Sequence, residues 1–412
     1  MTFYQLQDLG RACLAPFTHV AELNARLFSE PSSWLSHLPG ARRFAAGSEL
    51  FFQLGKVYPK PAWNITSVEV GGAAHSVVEE TSLAKPFCRL VHFDRITATG
   101  VRPVGQPRVL VVAPLSGHYA TLLRDTVATL LRDHEVYVTD WVDAREVPTT
   151  AGTFSLDDYV AYVETFIRHL GADALHVMAV CQPTVPVLAA VSLMAARGEP
   201  TPRSLTLMGG PVDARRSPTQ VNDLATQHPI SWFEHNLVHA VPQPYAGHGR
   251  RVYPGFLQLA SFIAMNPRRH AESHWDFYLH LVQGDLEDAD AHRRFYDEYN
   301  AVLDMDGAYY LDTVRVVFQE FLLARGQWKV AGELVTPSAI AKTALMSIEG
   351  ELDDISGSGQ TEAAHALCSG LAAEMHTHYV VPEAGHYGIF SGRRWREQVY
   401  PQLRSFIAQH GG

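Results

Sequence analysis

From residue 108 to residue 208 the chain alternates short apolar runs with longer stretches whose apolar residues recur every three or four positions. Residues 108–113, 135–139, 175–180 and 204–208 read as strands, with helices predicted from Leu122 through Leu131 and over 156–170 and 185–197. Runs of strand and helix in this order predict βαβ units. The expected fold class is therefore α/β, a mostly parallel central sheet with helices on both faces.

The flanks follow other rhythms. Residues 65–70, 76–79 and 88–93 read as strands around a Gly71-Gly72 turn, an antiparallel opening to the sheet, and residues 100–107 read as a linker. Before them, Leu6, Leu9, Ala12, Cys13, Phe17, Val20, Leu23 and Leu27 lie at helical spacing, and a second helical stretch follows Pro31-Ser32-Ser33. A helical arm over 1–60, packed on the core, is expected. Gly209-Gly210-Pro211 breaks the alternation, which resumes only with the strand at 343–348. The intervening residues 215–335 are helix-like and rich in aromatic residues. They read as a cap inserted over the sheet's C-terminal edge, where α/β proteins hold ligands. The core is then 61–214 with 336–412, closing on a helix at 360–371, a strand at 376–381 and a helix at 393–407.

Composition changes this picture in a few places. The 412 residues are 47% hydrophobic and carry a formal net charge of -10, which argues against a phosphate-binding surface, so no nucleic acid is expected. Only 18% are charged, which leaves room for partner helices, a homo-oligomer or an apolar substrate. The four cysteines, Cys13, Cys88, Cys181 and Cys368, are scattered without a CxxC pair, so neither a zinc site nor a disulfide framework is expected. The first residues lack the basic and apolar regions of a signal peptide, and a cytoplasmic location is expected. Residues 175–196 contain no charge, yet His176, Gln182, Pro183 and Pro186 argue against a membrane span. His376 with His378, and His235 with His239, lack a nearby third ligand, so no metal or cofactor is implied.

By itself Cys181 reads more readily as one more buried thiol. Its place in the chain changes that. Cys181 follows a central strand and precedes a helix, Gly350-Glu351-Leu352-Asp353-Asp354 follows the next strand beyond the insertion, and Gly385-His386 follows the last strand. This is the nucleophile, acid, histidine order of α/β-hydrolases. In that reading His386 takes the thiol proton and Asp353 holds the imidazole. Asp353 is preferred over Asp354 because Gly-x-x-Asp is the usual spacing from the strand end, and Asp354 stays the runner-up. The backbone N–H of Gln182, with one from Leu115 or Ser116 after the early central strand, would receive an oxyanion. Ser116 is the weaker candidate nucleophile, since it follows an early strand.

The runs Pro114-Leu115-Ser116-Gly117-His118-Tyr119, Val180-Cys181-Gln182-Pro183, Gly249-Arg250-Arg251-Val252-Tyr253, Phe295-Tyr296-Asp297-Glu298-Tyr299-Asn300, Gly350-Glu351-Leu352-Asp353-Asp354 and Gly385-His386-Tyr387-Gly388 closely resemble the intracellular polyhydroxybutyrate depolymerases of bacteria. The resemblance spans nearly the whole chain, and it extends more distantly to polyhydroxyalkanoate synthases. It implies an α/β-hydrolase that opens polyester bonds with a cysteine, with Cys181, Asp353 and His386 on the triad positions, no cofactor, and a polyester granule as partner. Small residues usually stand two before and two after such a nucleophile; here they are Ala179 and Pro183. Synthases are closer to Gly-x-Cys-x-Gly, so this elbow favours the depolymerase. An acyltransferase using a coenzyme A donor and a non-catalytic granule-binding protein are the competing expectations.

Overall fold

A computed structural model describes residues 3–97, 100 and 105–411. Part of the expected 100–107 linker, residues 101–104, lies outside the described residues, as do the first two residues.

Nine strands form one sheet: β1 (Ser67–Val70), β2 (Ala73–Lys85), β3 (Cys88–Ile96), β4 (Arg108–Val112), β5 (Glu135–Trp141), β6 (Leu175–Val180), β7 (Ser204–Met208), β8 (Ala344–Gly350) and β9 (His376–Val381). Their order is β1-β2-β3-β5-β4-β6-β7-β8-β9. The first three pair antiparallel with one another, and β3 with β5, while the pairs from β5 to β9 are parallel. Every residue of β6, β7 and β8 is buried, as expected of parallel strands covered on both faces. This is the α/β-hydrolase fold. The chain leaves β4 for β5 on one side and returns to β6 on the other. The carboxyl ends of β4 and β6 therefore flank a topological switch point, where a crevice opens in such sheets.

The uncharged run at 175–196 divides into β6 and a helix over Thr184–Ala196, buried on every face through Met194. Each piece is about 20 Å long, too short for a bilayer core of about 30 Å. Among the described residues no helix is long and apolar enough to cross a membrane. The helix Leu156–Leu170 begins where expected because Ser155 and Asp158 form a reciprocal capping box.

Three expectations change. The segment between β7 and β8 is not helical throughout: His239–Ala240, Arg251–Tyr253 and Met305–Asp306 form a small antiparallel sheet. Its two- and three-residue strands are too short to show a period of two. Arg250 beside it pairs with buried Asp306 at 2.8 Å and donates to the carbonyls of Val147, Pro148 and Gly152, tying this segment to the core. The helix expected at 360–371 shrinks to Ala363–Leu367, because Thr361 and Glu362 turn their N–H groups onto the buried Glu349 carboxylate. Helices α1 (Phe3–Ser29) and α2 (Ala41–Gly55) form as expected. However, the large apolar residues of α1 point to solvent, and its buried positions are Tyr4, Thr18, Ala21 and Ala25.

Candidate active site

Cys181 sits in the tight turn between β6 and the following helix with φ at +67°, the left-handed region that a side chain enters at a strain of about 1–2 kcal/mol. Its N–H donates to the Met208 carbonyl at 2.7 Å, and its own carbonyl accepts the Thr184 N–H at 3.1 Å. Pro183, at φ -59°, is already in helical conformation, so the proline leads into the helix and the strain falls on Cys181.

The turn is possible because of the glycines that follow the next strand, β7. A Cβ at Gly210 would run into the Thr184 hydroxyl and the Cys181 carbonyl oxygen, and one at Gly209 would lie 3.3 Å from His386 Cε1 and 3.4 Å from Asp353 Oδ2. In the sequence Gly209-Gly210 reads only as a break in rhythm; the adjacent glycines after a buried strand are the available signal. Gly210→Ala should therefore destabilise the protein by about 3 kcal/mol, since the clash is with backbone as well as side chain. Urea unfolding curves check this, and an unchanged midpoint would contradict it.

The carboxyl ends of β8 and β9 bring the other two residues together. Gly350 lets the loops touch, because a Cβ there would stand 2.5 Å from the Ala384 carbonyl oxygen. Asp353 Oδ2 then lies 2.8 Å from His386 Nδ1, while Asp353 Oδ1 accepts the N–H groups of Ile355 and Ser356, each at 2.9 Å. Asp354 turns away and accepts from Asn266 Nδ2 at 3.2 Å. Burial works against a charged His386. The Asp353 carboxylate and Cys181 outweigh it through their charge and hydrogen bonding, and raise the imidazole well above its ordinary range.

Cys181, Gln182, Leu115, Ser116 and His386 line one cavity of about 520 Å³, roofed by residues of the segment between β7 and β8, among them Tyr253, Tyr310 and Phe318. Its walls are mostly apolar. His118 lies against it, stacked on Phe262, and its Nε2–H donates to the Tyr299 carbonyl at 3.1 Å; burial lowers its pKa to about 4 despite that bond, so it is neutral. Gln182, Tyr309 and Ser356 are buried on the same cavity with side-chain polar atoms that lack a well-formed hydrogen bond, the Tyr309 hydroxyl lying close to the Thr313 and Gln182 side chains. Sequence periodicity had no means of finding these, since their distinction is the lack of a well-formed hydrogen bond. The histidine pairs noted in the sequence are engaged elsewhere: His378 Nδ1 and His365 share the Ser347 hydroxyl, His376 contacts His365, and His235 bonds the Ser231 carbonyl.

No curated protein matches the chain. Among solved structures, a thermophilic esterase from Thermogutta terrifontis is 15% identical, with 82% of this chain and 100% of that one covered at a TM-score of 0.42. The 2-hydroxy-6-oxo-6-phenylhexa-2,4-dienoate hydrolase of Rhodococcus sp. strain RHA1 is 12% identical, covering 81% and 99% at 0.43. Residues 209–411 match the family described as PHB de-polymerase C-terminus. That region contains Asp353 and His386, whereas Cys181 precedes it. From the end of β7 to its last helix, the chain is thus similar to the polyhydroxybutyrate depolymerase family.

Proposed function

We propose that this ester hydrolase cleaves poly(3-hydroxybutyrate) with Cys181 as nucleophile, Asp353 and His386 as its base pair, and release of 3-hydroxybutyrate or short oligomers. The observation that carries the reading is the strained Cys181 turn facing the Asp353–His386 hydrogen bond in one apolar cavity. The family match supports the substrate class.

In this mechanism the Cys181 proton passes to His386 Nε2 and the sulfur attacks the ester carbonyl carbon. The N–H of Gln182 and one from Leu115 or Ser116 receive the oxyanion. Collapse breaks the C–O bond, and the His386 proton goes to the departing hydroxyl of the next unit, leaving a 3-hydroxyacyl thioester on Cys181. Water then gives a proton to His386 and attacks the thioester, which returns the thiol. Asp353 holds Nδ1–H throughout, so Nε2 faces the sulfur.

The Gln182 amide and Tyr309 hydroxyl, which lack well-formed hydrogen bonds, would serve the substrate. A buried polar atom without a partner costs about 1–3 kcal/mol, which a ligand oxygen can offset. Each unit of this polymer carries an oxygen on the β-carbon of its acyl group, and the Tyr309 hydroxyl, beside the Gln182 and Thr313 side chains, would donate to it. Tyr309→Phe should lower kcat/KM on a 3-hydroxybutyryl ester about tenfold while leaving a butyryl ester unchanged. Equal losses on both esters would rule this role out.

The reading is tested by incubating purified protein with amorphous poly(3-hydroxybutyrate) granules and measuring released 3-hydroxybutyrate, with a parallel incubation in 3-hydroxybutyryl-coenzyme A. Release supports it. Polymer formed from the coenzyme A ester would make the protein an acyltransferase, and binding to granules without product from any ester would make it a binding protein.

A further inference from the structure

The two N-terminal helices are packed inside out. Where α1 meets α2 the buried residues are small, Ala21 and Ala25 on one helix and Ala41 and Ala45 on the other, and Gly55 leaves space that a Cβ would lose to Thr18 Cγ2 at 2.6 Å. The packed stripe of α1 runs through Tyr4, Arg11, Thr18 and Ala25, seven residues apart each time. The opposite stripe carries Leu6, Leu9, Cys13, Val20, Leu23 and Leu27, all exposed, the leucines and valine at 46–55%. Positions 6, 13, 20 and 27 repeat every seven residues and 9 and 23 stand three further on. This is the a/d pattern that a helix presents to another helix, interrupted only by Pro16. Trp34 on the next turn and Phe51 and Leu54 on α2 are exposed as well.

We propose that this face is the interface of a homodimer, in which α1 and α2 of one copy pack on α1 and α2 of the other about a two-fold axis. Large side chains left about half exposed over two helices amount to something on the order of 1,000 Å² of apolar surface. Monomers rarely expose more than a few hundred. Two copies together would bury about 2,000 Å², the range of permanent homodimers. The charges on α1 favour a second copy over an anionic lipid surface. Asp8 and Glu22 balance Arg11 and Arg26, whereas a helix that lies on such a membrane carries an excess of Lys and Arg. The seam is also separate from the cavity, none of whose lining residues comes from α1 or α2. Dimerisation therefore stands apart from the hydrolase reading, and either can fail without the other.

Light scattering on the eluting full-length chain at micromolar concentration tests the inference. The expected mass is twice the chain's 45.6 kDa. The double variant Val20→Glu, Leu23→Glu should elute as a monomer, with its helical circular dichroism and its hydrolysis of a soluble ester kept within about twofold. Leu9→Lys with Leu27→Lys should do the same and guards against a folding defect of the first pair. A wild-type chain of 45.6 kDa at tens of micromolar would overturn the proposal, as would a dimer that survives both pairs of substitutions. So would a monomeric wild type that adsorbs to polyester granules or neutral lipid vesicles and loses this with Val20→Glu, Leu23→Glu, since the face would then belong to an apolar surface.

Discussion

Cys181→Ala is expected to lower kcat/KM on 3-hydroxybutyrate esters by about 10⁴ or more, with little change in stability. A nucleophile and its base act as a unit, so removing the sulfur leaves only what the oxyanion donors and the cavity contribute to water attack. Alanine meets the same left-handed backbone strain at φ +67° and keeps the hydrogen bonds of residue 181 to Met208 and Thr184. The thermal midpoint should therefore shift by no more than about 2 °C. The acyl-thioester is the second observable. With His386→Gln slowing the attack of water, mass analysis after a short incubation with substrate should find a 3-hydroxybutyryl adduct on the peptide containing Cys181. Retention of near-full granule hydrolysis by Cys181→Ala would remove this cysteine from the mechanism.

The second large effect separates two adjacent carboxylates. Asp353→Asn should cost about 10³ to 10⁴ in kcat, and Asp354→Asn less than about threefold. Asp353 has a side chain only 1% exposed and meets His386 Nδ1 at 2.8 Å. An asparagine can keep the bonds to the Ile355 and Ser356 N–H groups through its carbonyl oxygen. Its NH₂ then faces Nδ1, which forces the imidazole proton onto Nε2 and leaves no base toward the sulfur. The same change has a spectroscopic sign. Asp353 and Cys181 raise the His386 pKa against burial, which by itself lowers it. Removing the carboxylate lets burial prevail, so the pKa falls. In a nuclear magnetic resonance titration the wild-type His386 Cε1–H signal should stay at the imidazolium position through neutral pH. In Asp353→Asn it should move to the neutral position. A larger loss from Asp354→Asn would reverse the assignment.

The N-terminal helices show where reading by periodicity stops. Spacing of three and four identifies a helix and an apolar stripe, but it does not say what the stripe faces. In α1 the stripe that packs on α2 is made of alanine and threonine, and hydrophobicity alone ranks it below the leucine stripe. Close approach through small residues decided the packing, and it depends on what α2 presents. The polar atoms of Gln182 and Tyr309 were hidden for a related reason. Lacking a well-formed hydrogen bond is a property of everything around a group and of nothing in its own neighbourhood along the chain.

The sequence by itself determined the alternation of strand and helix, hence the parallel sheet, and the order in which Cys181, the Asp353-Asp354 pair and His386 follow its strands. Each of these rests on local signals: fully apolar runs, a capping box, glycines at turns. Only the tertiary structure decided which carboxylate turns to His386 and that Cys181 takes a left-handed turn despite Pro183. The same holds for the role of Gly209-Gly210, which make room beneath both loops. These depend on approaches of a few ångströms between segments as many as 177 residues apart, Gly209 and His386, and no periodicity along the chain encodes such distances.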